Sequence, residues 1–480
     1  MGQRRRTLPA LVASCVLLVT SGCGARWSDA QRDAVAGRTN GRTAAAVQPG
    51  DGTPSAATDV ANDGTGTGDA AAGAAGDTAG TPGAATAGPA GGTAAPGADT
   101  GRAGTAAAGA KPCAAPSKEV GVTDKEITLG SISTLSGAVP GLGASSLAAA
   151  RAYVAYRNST GGVCGRKLVL KTADDGMDNG RYRALANDMS SQVVGLIGGV
   201  GGGDAGGADV VEAKKLPVVN TPISEVFQDV STVFDINPPF ADVHQPIAKY
   251  KYLYDQGVRK AALVYIAADQ TRSEVRDKQK PQMVASGIQI VREQELPLST
   301  LSFDSAARGV ANSGADYLLF VSDPSQSASM AKSMRDTGYK LKSEEYLTAY
   351  GSKFIDLAGA AADGTTSWTR TLPNEEPNTT PEQTAFLTWM KRTAPNEVAD
   401  TFAADSWSAS KAMVDALEAL PGAISRAALV TQLRSVQSYD AGGLLGPIKL
   451  GPKLNNGCFI AMKVVGGKWQ RLAPARGFLC

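Results

Sequence analysis

The stretch VVGLIGGVGGGDAGGADVVE, Val193 to Glu212, sets an apolar run directly before a cluster of glycines, with a segment able to open a helix behind it. Gly201, Gly203 and Gly206 satisfy G-x-G-x-x-G, the spacing of a dinucleotide cradle. Such a cradle needs an acidic residue at the tip of the next strand to hold the ribose hydroxyls. Here that strand ends Val218-Val219-Asn220-Thr221, and Glu225 comes only after Pro222. The glycines also follow the third strand-like segment of their run, whereas the fingerprint takes the first strand-to-helix turn, and no G-x-x-x-x-G-K-[ST] loop is present. No nucleotide, and no other cofactor, is expected. What remains is backbone: residues without side chains let a ligand approach closely and offer N–H groups to an anion such as a carboxylate. Equally, such glycines make a flexible turn or a tight contact between a helix and a strand.

Outward from this stretch, strand-like and helix-like segments alternate. EITLGSI precedes GASSLAAARAYVAYRNS, KLVLKTAD precedes NGRYRALANDMSSQ, and VVGLIGG, GGADVVEAKK and LPVVNTP follow. A second set runs AALVYIA, EVRDKQKPQMVAS, IQIVREQEL, DYLLFVS, SQSASMAKSMRDTG. This β-α-β alternation, given twice, predicts an α/β fold of two lobes with parallel sheets flanked by helices. Ligands of such sheets bind in the crevice beyond the carboxyl ends of the strands. The body from about Val120 to Cys480 is long enough for two cores. With 47 basic against 45 acidic residues, the net charge of +2 gives no reason to expect nucleic acid as a partner.

The first residues have another character. Arg4, Arg5 and Arg6 precede an apolar stretch, Leu8 to Val19, too short to span a bilayer, which predicts an export signal over residues 1–22. Val19-Thr20-Ser21-Gly22-Cys23 resembles a bacterial lipobox, implying that Cys23 is lipidated and holds the chain at the extracellular face of the cell membrane. From residue 23 to about 115 the composition collapses to Ala, Gly, Thr, Pro and Asp, which cannot bury enough apolar surface to order itself. A disordered tether is expected, and a Gly-rich coil of about 85 residues spans roughly 50 Å. Setting aside Cys15 and Cys23 leaves Cys113, Cys164, Cys458 and Cys480, hence two disulfides with three possible connectivities. Pairing of sequence neighbours, Cys113–Cys164 and Cys458–Cys480, is preferred, and loop closure assigns these about 4 and about 3 kcal/mol.

Enzyme chemistry is poorly supplied. His244 is the one histidine, read as a helix or hinge residue bonded locally, so no zinc cluster can be assembled and no metal is expected. No nucleophile stands out, and GTTSWT is not a G-x-S-x-G elbow.

The order of motifs in GVTDKEITLGSISTLSGAVPGLGASSLAAARAYVAYRNSTGGVCGRKLVLKTADDGMDNGRYRALANDMSSQVVGLIGG resembles the first lobe of the type I periplasmic binding proteins, specifically the branched-chain amino-acid group serving ABC importers. The likeness continues through LPVVNTP, VFDINPPFADVHQPIAKYKYL, MAKSMRDTGYK, AADSWSASKAMVDALEAL and MKVVGGKW. It implies two Rossmann-like lobes joined by a three-segment hinge that closes on the ligand, the first lobe from residues 120–243 and 371–436, the second from 244–370 and 439–480. Each preferred disulfide would then staple one lobe and leave the hinge free.

Carried across by position, the family's site places Gly201, Gly202 and Gly203 where relatives receive the ligand carboxylate, leaving backbone donors. Pro222 and Ser224 fall on the turn that binds the amino-acid head, Leu142 at a position aromatic in some relatives, and Phe402 at an apolar wall. Gln270 and Asp323 replace tyrosines, Tyr350 replaces an acid, and the family's Y-D-A reads Trp407-Ser408-Ala409. Asp323 could pair with an ammonium group or simply cap the helix after Pro324. Tyr350 and Trp407 could line the pocket or belong to the core. The resemblance implies a lipid-anchored solute-binding protein that takes an amino acid or related small polar ligand and hands it to a membrane permease. The same fold could instead make a surface sensor with a protein partner, or an enzyme using the cleft.

Overall fold

The computed structural model describes residues 112–137 and 141–480; the expected signal peptide, Cys23 and the tether as far as Lys111 lie outside them. β1 (Glu126–Ser133), β2 (Lys167–Asp174), β3 (Gly195–Ile197), β4 (Val218–Asn220) and β5 (Val233–Asp235) form one parallel sheet in the order β2-β1-β3-β4-β5. After Glu126, β1 has no exposed residue, because helices cover both faces of the sheet. On one face Ile127, Leu129 and Val219 pack against the helices Ala144–Ser159 and Thr401–Glu418. On the other, Ile132, Leu196 and Val218 meet Tyr182, Met189 and Val211 of the helices Asn179–Ser190 and Ala208–Ala213.

The second sheet holds β6 (Lys260–Ile266), β7 (Gln289–Leu296), β8 (Tyr317–Val321), β9 (Ser343–Tyr346) and β10 (Thr366–Thr369). A small ribbon of β11 (Ile448–Lys449) and β12 (Leu454–Asn455) precedes two last strands, β13 (Ile460–Val465) and β14 (Lys468–Ala473). The order is β14-β13-β10-β9-β8-β6-β7, with β13 and β14 antiparallel additions to a parallel set. Leu263 and Leu319 face Tyr250 and Met283, while Val264 and Phe320 face Ala307 and Met330 from the helices of the opposite side.

The chain passes between the two sheets three times, at residues 236–247, 370–380 and 436–459, since the helices Pro381–Thr393, Thr401–Glu418 and Arg426–Ser435 return to the first half before β13 enters the second. Main-chain bonds sew these passages together. Gly446 N–H donates to the Arg370 carbonyl at 2.7 Å, Leu372 N–H to Leu444 at 2.8 Å, and Asn455 N–H to Pro239 at 2.9 Å.

Both disulfides are present as Cys113–Cys164 and Cys458–Cys480. The first moves the start of the folded body. Sequence composition carries the tether to residue 115, yet Cys113 is wholly buried in a short turn, Pro112–Ala114. Arg166 donates to the carbonyls of Cys113 at 3.1 Å and Ala115 at 3.0 Å, so a buried guanidinium and a covalent bond together fix what composition alone assigns to linker.

Candidate functional site

The carboxyl ends of β1 to β4 lie side by side, and three aspartates organise them. Asp174 Oδ1 accepts N–H groups from Leu135 at 2.9 Å, Ser136 at 3.2 Å and Gly176 at 2.9 Å, and the Ser136 hydroxyl bonds its other oxygen. The Ser136 hydroxyl, with those amides, holds this carboxyl well below the usual range. Asp175, fully buried, accepts the Thr134 hydroxyl at 2.6 Å and the N–H groups of Met177 and Gly203, both at 3.0 Å. Asp204 accepts from Ile223 N–H at 2.7 Å, Ser224 N–H at 3.1 Å and the Ser224 hydroxyl. Burial pushes Asp204 up to about 6, against the pull of those donors.

This answers what the glycines do. A side chain on Gly206 would stand 1.9 Å from the Asn179 carbonyl, one on Gly203 2.5 Å from that of Asp178, and one on Gly201 2.8 Å from Asp175 Oδ2. They let the loop close onto the start of the helix Asn179–Ser190. The expectation that their amides wait for a ligand carboxylate is corrected in two places: Gly202 N–H donates to the Thr134 hydroxyl at 2.8 Å and Gly203 N–H to Asp175. The protein's own groups already occupy those donors. Ser224 is likewise engaged, capping the Glu225–Gln228 turn and bonding Asp204, beside a half-buried Pro222.

At the strand ends of the second half, Gln270 lies in the Asp269–Arg272 helix after β6. Asp323 is exposed and caps the helix Pro324–Thr337, accepting from Ser325 N–H at 2.7 Å and Gln326 N–H at 3.2 Å, the local role that Pro324 foreshadows. Tyr350 donates its hydroxyl to Glu375 at 2.6 Å and accepts from Asn374 N–H at 3.1 Å, which ties the end of this half to the second passage. Burial, then the Glu375 charge, raises this phenol far above its ordinary range. Across the rims, Ser273 Oγ bonds Glu225 Oε1 at 3.4 Å.

Beneath, Arg370 joins the passages to the first half. It bonds Asp405 Oδ2 at 2.7 Å and the Ile236 carbonyl at 3.4 Å. Asp235, at the end of β5, is buried beside them, and burial lifts its carboxyl to about 7 against the bonds from Asn237 N–H and Gln228. A parallel sheet, a second sheet that is parallel but for β13 and β14, and three sewn passages bring two sets of strand ends together, where sheets of this kind take ligands.

The model of a family described as "Periplasmic binding protein" matches residues 126–468, from β1 into β14. The chain belongs to the periplasmic binding protein family. Its fold is of type I, and members of this family bind small ligands and deliver them to ABC permeases. No curated protein sequence matches it. Among solved structures it is similar to the fatty acid ABC transporter substrate-binding protein from Thermomonospora curvata, at 20% identity and a TM-score of 0.60, over 74% of this chain and 93% of that one. It is also similar to the branched-chain amino acid transporter substrate binding protein LivJ from Streptococcus pneumoniae, in complex with isoleucine, at 16% identity and 0.59, over 73% and 100%. A third is a solute binding protein from R. palustris in complex with benzoate, at 18% identity and 0.58, over 74% and 96%.

In this binding protein Leu142 and Phe402 are half-buried near two helix starts that a bond from Ser145 Oγ to Asp400 Oδ1, 2.8 Å, holds together. Trp407, open between pocket and core in the sequence, lies in the core. It is wholly buried between helices of the first half, edge-on to Tyr153 at 4.9 Å, stacked on Tyr156 and bonded through Nε1 to Glu382 at 2.6 Å. Sequence reading missed Asp175, Asp204, Arg370, Asp405 and Glu375. The D-D pair was visible within the motif, but which amides it would take depends on packing between distant strands.

Proposed function

We propose that this protein is a lipid-anchored extracellular component of an ABC importer that captures a small polar organic solute, an amino acid or a relative of one, between its two halves. The observation that carries this is the family match running unbroken across both sheets and the passages between them. Ligand binds at the strand ends, and its differential affinity for the closed form shifts the hinge equilibrium. No chemical step is assigned to the cleft. The lipobox-like segment ending at Cys23 supports the anchor, and a permease is the membrane partner. Calorimetric titration of the full chain against amino acids, their amides and small organic acids and amines tests the capture. Saturable binding with one site per chain is expected, and absence of binding alongside a specific membrane-protein partner would favour a sensor. For the anchor, labelled palmitate is expected on the wild type and not on Cys23→Ala; equal labelling of both would refute it.

A further inference from the structure

Resting on that reading, we infer that the solute presents no carboxylate to the first half: it meets this rim with neutral or cationic groups. Among the described residues, seven amides of this rim are held by the protein's own oxygens. Leu135, Ser136 and Gly176 N–H groups go to Asp174, Gly203 to Asp175, Gly202 to Thr134, and Ile223 and Ser224 to Asp204. Asp175 Oδ2 also stands only 2.8 Å from where a Cβ on Gly201 would be, so an anion brought close to that residue would meet a carboxylate. Arg181, on the same rim, is set against Asp174 at 3.8 Å, and Arg370 against Asp405. The helix Ala208–Ala213 behind the glycines starts from Gly207 and is only six residues long.

A second observation points the same way. Asn220, the last residue of β4 and 4% exposed, immediately precedes the turn that Asp204 holds, and its Oδ1 has no hydrogen-bond donor among the described residues. Buried acceptors without donors are uncommon and a ligand N–H would satisfy this one. A rim rich in internal carboxylates and holding a spare acceptor selects donors, and rejects an isostere that brings another negative charge.

Matched pairs read this directly: L-leucine against L-leucinamide, benzoate against benzamide, acetate against ethylamine, and a wider panel of carboxylates against amides, polyols and amines, all by thermal shift and then calorimetry on the full chain at pH 7.5. In every pair that binds, the member without a carboxylate is expected to bind at least tenfold more tightly. A carboxylate that binds as tightly as its neutral or cationic partner overturns this inference and leaves solute capture standing. Silence from the whole panel at 10 mM (roughly the weakest affinity a solute receptor could use) overturns solute capture, and this inference with it.

Discussion

Asp235 carries a charge problem that its surroundings solve only in part. Asn237 N–H bonds it at 2.7 Å, Gln228 bonds its other oxygen and the Arg370 charge favours its ionised form, yet burial dominates and the nearby Asp405 charge adds to it. A carboxyl raised to about 7 when folded, from near 4 when unfolded, binds more protons in the native state between those values. Its contribution is therefore full below pH 4 and is lost as pH rises through 7, by about 4 kcal/mol at the extreme. Asp204, at about 6, acts in the same direction over a narrower window. Urea unfolding of Asp235→Asn at pH 5 and pH 8 is expected to show a flatter pH dependence than the wild type and a gain in stability at pH 8, since Asn keeps an acceptor without the charge. An unchanged slope would remove Asp235 as its source. Trp407 makes the opposite case, an aromatic wholly inside the core: Trp407→Ala should cost about 3–5 kcal/mol of stability, while the folded fraction binds ligand within twofold of the wild type. A tenfold loss of affinity in well-folded protein would return Trp407 to the cleft.

At the level of elements, the glycine loop and the helix Asn179–Ser190 form one unit. Gly206→Ala would drive a methyl into the Asn179 carbonyl at 1.9 Å, and destabilisation of about 1–3 kcal/mol is expected by denaturant titration. A neutral result would mean that the loop floats free of that helix. The same unit shows how far the sequence could be read. Period and turn residues exposed the alternation of strands and helices, because each element's pattern is local. The disulfides were legible too, since pairing of sequence neighbours kept each loop within one half. Asp323 carried its capping role openly, with Pro324 beside it. The site was harder, because its bonds join residues far apart: Asp175 to Gly203, Arg370 to Asp405, Tyr350 to Glu375. A G-x-G-x-x-G spacing records that close approach is needed and not what approaches. Here it was a helix start and two of the chain's own carboxylates. The helix-like EVRDKQKPQMVAS segment after β6 lies in a continuous helical run, whose residues Ser273–Gln279 wind as a π-helix before Pro281, as a proline that withholds an N–H favours.

For the whole molecule, the question is what holds the two halves open or shut. Each disulfide closes a loop without bridging the rims, and the passages are paired by main-chain bonds of 2.7–2.9 Å. A rim contact among the described residues, from Ser273 to Glu225, is long, at 3.4 Å, and exposed. An exposed hydrogen bond of this kind contributes about 0.5–1 kcal/mol, no more than about fivefold in a population. Ligand contacts, then, must supply most of the free energy of closure, because a solute shifts the equilibrium only by its differential affinity for the two forms. Glu225→Ala is accordingly expected to weaken apparent affinity by fivefold or less, through a smaller closed population, while small-angle scattering still shows compaction on saturation. Loss of more than about fiftyfold would place Glu225 in contact with the ligand itself, and loss of compaction with affinity retained would mean that the rim bond, and not the solute, drives the hinge.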